Sequence, residues 1–246
     1  VHVHLADIDA LNRSAMAGEY DVIKVSYGAI PALADRYRIL RSGGALGRGC
    51  GPLVVARPPS GTALRDFALR TIAIPGEATT AYLLLRLALG TTPPIVPMRF
   101  DRICDAVADG AVDAGLIIHE SRFTYADHGL VEIADLGRWW EGTTGMPIPL
   151  GAILVRNDID VDDARRIDAA VQSSLQYART HEDAIMPYVR EHAFEMEEAV
   201  MRKHIDLYVN AYSDDLGDEG RAAVVELFRR AREASLIPLT VEATFV

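Results

Sequence analysis

A histidine at the end of an apolar strand is the residue of this sequence best suited to acid–base chemistry. His119 follows the apolar run 112–118 and precedes the polar residues Glu120, Ser121 and Arg122. An unperturbed imidazole titrates at about pH 6.5, so it can take up a proton near neutrality. The position predicts a general base, although a histidine outside a recognised motif is more often structural.

Hydroxyl groups occupy two further positions suited to ligand binding. Thr79 and Thr80 begin an apolar helical segment, where hydroxyls and free backbone N–H groups suit a carboxylate or a hydroxyl. Plain capping of the helix explains the same two residues. Ser26 ends the strand-like run 21–26 and has no base beside it in sequence, so it is predicted to donate a hydrogen bond rather than act as a nucleophile.

The segments around these residues alternate between strand and helix patterns. Strands are predicted at 1–5, 21–26, 39–40, 53–56, 71–74, 95–99, 112–118, 131–133 and 152–155. Helices are predicted from Asp7 or Asp9 to Ala17 and at 29–37, 79–89, 101–108, 160–178, 197–212 and 219–234. Such alternation is typical of a mainly parallel sheet covered by helices. Ligands bind beyond the carboxyl ends of such strands, which selects the segments 24–27, 76–82 and 117–122.

One pattern occurs twice along the chain. The runs 17–26 and 109–118 each contain a helix end, a glycine, a short spacer, an aspartate and an apolar strand. Aligning them pairs Gly18 with Gly110 and places Ser26 and His119 near equivalent strand ends. The repeat predicts two lobes of related design, although this helix-glycine-aspartate-strand pattern is also common in unrelated α/β proteins.

Several other classes of site find no support in the sequence. The glycine-rich loop 42–52 matches neither the dinucleotide fingerprint nor the phosphate-loop pattern, and it suits either a shaped turn or a direct ligand contact. Cys50 and Cys104 are predicted to be reduced thiols. The remaining histidines, including His204, are predicted to be solvated, and no pair has metal-ligand spacing.

The net charge of −10 disfavours binding to nucleic acid, which requires clustered Lys and Arg. The longest apolar run, 81–89, is interrupted by Arg86 and is too short to span a bilayer, so no membrane partner is predicted. The start of the chain lacks the basic and apolar regions of a signal peptide. These features favour a cytoplasmic protein that acts on a small molecule.

Several of these segments, taken in order, resemble the dihydroxynaphthoate synthase family of the futalosine route to menaquinone. The resemblance covers essentially the whole chain, and its most specific part is the run Asp113-Ala-Gly-Leu-Ile-Ile-His-Glu-Ser-Arg-Phe-Thr-Tyr125. The other matching segments are 24–27, 41–57, 75–76, 79–82, 149–153 and 208–213.

The resemblance implies an α/β fold similar to that of type II periplasmic binding proteins. Two lobes are expected, each a mixed, mostly parallel sheet flanked by helices. Residues 1–62 and 153–246 would form the first lobe, residues 63–152 the second, and the crossings would lie near 57–70 and 150–152. Because family members begin with a further strand and helix, the first lobe is expected to lack these two elements.

The family's activity implies a carbon–carbon lyase that converts cyclic dehypoxanthine futalosine to 1,4-dihydroxy-6-naphthoate with no cofactor and no metal. By resemblance, His119 is the base that removes a substrate proton. The positions that match the family's substrate-contacting segments are Lys24, Val25, Ser26, Thr80 and Ala81.

Two other functions fit the same fold. The first is a non-catalytic solute-binding protein. The second is chorismate dehydratase, which is disfavoured because that sister family does not share the run around His119. The resemblance also leaves a homodimer open.

Overall fold

The structure is a computed structural model that describes residues 2–58, 63–193, 197–240 and 242–246. Within these residues the strands are β1 Val22–Ser26, β2 Tyr37–Ile39, β3 Ala45–Gly47, β4 Leu53–Ala56, β5 Ile72–Ile74, β6 Ile95–Pro97, β7 Ala114–Ile117, β8 Val131–Asp135 and β9 Ile148–Arg156. The α-helices are α1 Ile8–Ala17, α2 Thr80–Leu89, α3 Ile103–Ala108, α4 Ser121–Thr124, α5 Leu136–Thr144, α6 Val161–Thr180, α7 Glu182–His192, α8 Glu198–Tyr208, α9 Ala211–Asp214 and α10 Gly217–Glu233.

The strands form two sheets. In the first sheet, the long strand β9 pairs with β1, β2 and β3, and every one of these pairings is antiparallel. In the second sheet, the order is β6-β5-β7-β4-β8, where the two pairings of β5 are parallel and the two pairings of β4 are antiparallel. The chain is therefore α/β with two sheets, as predicted, but neither sheet is mostly parallel. The alternation of elements misled the prediction because strand direction is set by long-range pairing.

Strand β4 lies in the second sheet, where it pairs with β7 and β8. The predicted lobe boundary at residue 62 places β4 in the first lobe, and this assignment of β4 is wrong. Likewise, β9 begins at Ile148, before the predicted return at residue 153. The chain therefore passes between the two sheets near 48–52 and 136–147. Part of the predicted crossing at 57–70 lies outside the described residues.

Other local predictions also need correction. Residues 2–5 form no strand: Val3 and Leu5 are exposed, and none of the described strands pairs with this segment. The predicted helix 29–37 is instead a 3-10 helix at Tyr27–Ala32, with Pro31 inside it, and the chain enters β2 at Tyr37. The predicted helix 101–108 starts as a 3-10 helix at Phe100–Arg102, where the Asp101 carboxylate accepts hydrogen bonds from Arg99, and it becomes α-helical only at Ile103. Helix α7 was not predicted, because Pro187 interrupts its pattern.

Helix α2 connects the packing of the two sheets. It packs against β9, α5, α10 and the 3-10 helix Tyr27–Ala32. Its buried residues Leu83, Leu84 and Leu85 belong to a core that includes Leu154 of the first sheet and Leu116 of the second. The N-terminus of α2 is thereby fixed relative to strands from both sheets.

Two glycines allow the start of β4 to approach the start of α5. The backbone N–H of Leu136 donates to the carbonyl of Pro52 at 2.9 Å. A Cβ atom on Gly51 would clash with the backbone of Gly137, and a Cβ on Gly137 would lie 2.7 Å from the nitrogen of Gly51. Only glycine therefore fits at either position.

Gly51→Ala is expected to lower the free energy of unfolding by about 1–3 kcal/mol, because the added methyl group meets backbone that has no room to move. The measurement is urea unfolding followed by circular dichroism. Gly142→Ala is the matched control, because that glycine lies in α5 with open space around its Cα. Equal stability of the two variants would contradict this account of the contact.

Candidate functional site

Two cavities adjoin at the ends of β1 and β7. The first lies against the N-terminus of α2, and the second lies between α1, α7 and α8. The first has a volume of about 140 Å³, and the second, which is mainly apolar, has a volume of about 700 Å³. Ile8, Lys24, His119 and His204 line both cavities. The structure thus places the predicted general base at the junction of the two cavities.

His119 follows β7 with a backbone φ of +57°, a conformation that residues other than glycine rarely adopt. The ring of Phe100 meets the imidazole edge-on, with centroids 5.0 Å apart, and the ring of His204 stacks with it at 6.0 Å. Burial lowers the pKa of His119 to about 3, with further contributions from the charges of His204 and Lys24. The imidazole is therefore neutral at pH 7 and has a free lone pair for a proton.

The turn after His119 is fixed by an ion pair between the half-buried Arg122 and the buried Asp135. The guanidinium of Arg122 donates to the carboxylate of Asp135 at 2.7 Å and to the carbonyl of Gly51 at 2.6 Å. Asp135 also accepts hydrogen bonds from the backbone N–H groups of Gly137 and Arg138. Arg122 was not among the predicted site residues, although its place three residues after His119 was a usable signal.

Strand β1 presents alternate residues to the cavity. Lys24 and Ser26 line it, whereas the side chain of Val25 is fully buried in the core. This follows from the alternation of side chains along a strand. Desolvation by the surrounding protein lowers the pKa of the Lys24 ammonium. The residue nevertheless keeps solvent access through the cavities. A contact of Val25 with ligand would have to use its backbone.

The two threonines of α2 have structural hydrogen bonds. Thr79 is the N-cap, and its hydroxyl accepts from the backbone N–H of Tyr82 at 3.2 Å. The hydroxyl of Thr80 donates to the carbonyl of Leu150 at 2.6 Å and accepts from the N–H of Gly28 at 3.0 Å. The capping interpretation is confirmed for Thr79.

Thr80 and Ala81 both line the first cavity. Their backbone N–H groups belong to the first turn of α2, where a helix has no internal acceptors for them. The helix dipole favours negative charge at this end. These two N–H groups and the Lys24 ammonium together suit a carboxylate.

The glycine-rich loop and α8 supply other walls of the first cavity. Ala45 and Cys50 come from the loop, and burial raises the pKa of the Cys50 thiol to about 12, so the thiol is protonated at neutral pH. His204 and Tyr208 come from α8 and lie one helical turn apart. The prediction that His204 is solvated is wrong, because its surroundings are set by long-range packing. Burial, followed by the charge of Lys24, lowers its pKa to about 4.

The described residues contain neither a candidate metal site nor a membrane-spanning helix. No cluster of three or more His, Cys, Asp or Glu side chains in that part of the chain could hold a metal ion. Among the same residues, no helix combines the length and apolar character needed to cross a bilayer.

A match to a known family model identifies the family of this chain. A family model described as menaquinone biosynthesis matches residues 1–233. This chain belongs to the menaquinone biosynthesis family. Two curated relatives named 1,4-dihydroxy-6-naphthoate synthase share 49% identity with this family member. The Thermus thermophilus relative matches over 98% of this chain and 87% of its own length, and the Streptomyces coelicolor relative over 96% and 84%.

Solved structures agree with the predicted two-lobe α/β fold. Protein AF1704 from Archaeoglobus fulgidus is 37% identical, with a TM-score of 0.88 over 95% of this chain and 86% of its own. The alkanesulfonate-binding protein SsuA from Xanthomonas axonopodis pv. citri, bound to MOPS, is 16% identical, with a TM-score of 0.70 over 96% of this chain and 83% of its own. The likeness to SsuA shows that this family member has a periplasmic-binding-protein-like fold.

Arg122→Met is expected to lower the free energy of unfolding by about 3 kcal/mol, because it leaves the Asp135 carboxylate buried without its cation. The measurement is urea unfolding at pH 7. Arg138→Ala is the control: its side chain is 75% exposed and lies 3.7 Å from the same carboxylate, so a loss of at most about 1 kcal/mol is expected. Losses of the same size in the two variants would show that burial of the pair has no special effect.

Acid is expected to destabilise the wild type more than His119→Gln. Below about pH 6.5 the unfolded chain binds a proton at residue 119 that the folded chain, with a pKa of about 3, does not bind. The stability supplied by the neutral ring therefore falls as the pH falls. Between pH 7 and 5 the wild type should lose about 1 kcal/mol more than the variant, a figure reduced for solvent access through the cavities. Equal losses, measured by urea unfolding at each pH, would contradict the burial of a neutral ring.

Proposed function

We propose that this protein is a carbon–carbon lyase that converts cyclic dehypoxanthine futalosine to 1,4-dihydroxy-6-naphthoate. The observation that carries the proposal is the neutral imidazole of His119 at the junction of two cavities, next to groups that suit a carboxylate. The relatives named 1,4-dihydroxy-6-naphthoate synthase supply the product class. The dihydroxynaphthoate product carries a carboxylate.

In the proposed reaction, the substrate carboxylate binds near the Lys24 ammonium and the first-turn N–H groups of Thr80 and Ala81. The Ser26 hydroxyl donates a further hydrogen bond, and Val25 contributes backbone only. A bound anion close to His119 raises the pKa of the imidazole, which moves the ring from a weak base toward the range useful at neutral pH. Binding and activation of the base are therefore coupled.

His119 then removes a substrate proton, and cleavage of a carbon–carbon bond releases the sugar-derived fragment. The gain of aromaticity in the bicyclic product favours cleavage. The mainly apolar second cavity holds the part of the substrate that bears no carboxylate. The proposal also includes a cytoplasmic location and activity without a cofactor, and it leaves a homodimer open.

His119→Gln is expected to lower kcat at least 100-fold, because the amide cannot take up the proton, while the fold is retained. The measurement is chromatographic detection of 1,4-dihydroxy-6-naphthoate after incubation with cyclic dehypoxanthine futalosine. His181→Gln is the matched control, because His181 lies at the exposed end of α6, and it should leave kcat unchanged. The Thermus thermophilus relative serves as the positive control.

Turnover by His119→Gln at more than about a tenth of the wild-type rate would remove His119 from the role of base. Absence of product from the wild type, and from a form extended to the length of the relatives, would contradict the synthase. Tight binding of the substrate without turnover in both forms would instead indicate a solute-binding protein. Formation of product from chorismate would indicate the dehydratase.

A further inference from the structure

Asn12 is a buried polar residue that none of the sequence motifs includes. It lies on α1, is fully buried, and faces the end of β1. Its side-chain oxygen accepts from the backbone N–H of Ser26 at 2.9 Å, and its side-chain nitrogen lies 3.2 Å from the Ser26 hydroxyl oxygen. Both polar atoms of the amide are therefore used on a single residue of the site.

The orientation of this amide follows from simple chemistry. A backbone N–H can only donate, so the amide atom that faces it must be the oxygen. The NH₂ group of Asn12 then necessarily faces the Ser26 hydroxyl, and that hydroxyl accepts. The assignment of oxygen and nitrogen, often ambiguous for asparagine, is fixed here by the backbone.

A hydroxyl that accepts from Asn12 keeps its own proton for another acceptor. Within the described residues, no acceptor is recorded for the Ser26 O–H, and Ser26 lines the first cavity together with Lys24, Thr80 and Ala81. These neighbours offer positive charge and N–H donors. The Ser26 proton thus adds a third kind of donor to a site suited to a carboxylate.

We infer that Asn12 is a positioning residue, which turns the Ser26 hydroxyl so that its proton points to a carboxylate bound in the first cavity. The inference rests on the proposed function, in which Ser26 binds substrate. Asn12 thereby determines the affinity for carboxylates, although it does not itself contact the ligand.

The decisive variant is Asn12→Asp. Its carboxylate still accepts from the Ser26 N–H, but its second oxygen also accepts from the Ser26 hydroxyl, which turns the proton away from the cavity. The expected result is a 10- to 100-fold rise in KM with kcat changed less than about threefold, because the lost bond is made in the ground state and the transition state alike. Ser26→Ala should raise KM by a similar factor.

The double variant Asn12→Asp/Ser26→Ala separates positioning from structural damage. If Asn12 acts through the Ser26 hydroxyl, the double variant has the KM of Ser26→Ala alone. If the two factors multiply, or if Ser26→Ala leaves KM unchanged, the inference is overturned. Asn12→Leu, which has a similar size and no charge, covers the case in which the aspartate variant does not fold. It should raise KM about 3- to 10-fold, and again only when Ser26 is present.

Titration calorimetry with 1,4-dihydroxy-6-naphthoate itself repeats the same cycle without turnover. If the wild type makes no product but the effects of the two substitutions on Kd are non-additive, the positioning of Ser26 is supported and the synthase is contradicted. If the wild type makes product but the effects on Kd are additive, the synthase is supported and the positioning of Ser26 is overturned. A wild type that neither turns over substrate nor binds this probe would overturn both.

Discussion

The ion pair between Arg122 and Asp135 is the interaction on which the rest of the site depends. The guanidinium joins the turn after β7 to the end of the glycine-rich loop at Gly51 and to the start of α5. The carboxylate also accepts from the first N–H groups of that helix, so its charge is opposed by a cation and by backbone donors together. The ion pair therefore fixes three segments of the chain relative to one another, and it holds the turn that carries His119.

The electrostatics of the site differ from those of the whole chain. The net charge of −10 repels an anion on average. Locally, the cavities bring together Lys24, two histidines and the positive end of α2. Because burial keeps both imidazoles neutral, the attraction for a carboxylate comes from the ammonium and the helix, and His119 remains free to accept a proton.

Local sequence signals predicted the elements that depend on nearby residues. Thr79 caps α2, and β7 ends two residues before His119, as the hydroxyl and the apolar run indicated. Strand direction, the membership of β4 in the second sheet and the burial of His204 depend on partners far along the chain, which no local pattern specifies. The resemblance of the run around His119 supplied the family, but it did not reveal that Arg122 fixes the turn or that Asn12 contacts Ser26.

The left-handed backbone at His119 has a consequence for affinity. A residue other than glycine keeps such a conformation only when its surroundings impose it, and here the ion pair of Arg122 with Asp135 and two flanking rings do so before any ligand arrives. The conformational entropy of ordering this turn is thus lost during folding and not again during binding. The site is preorganised: the imidazole of His119 already has its orientation before a ligand binds.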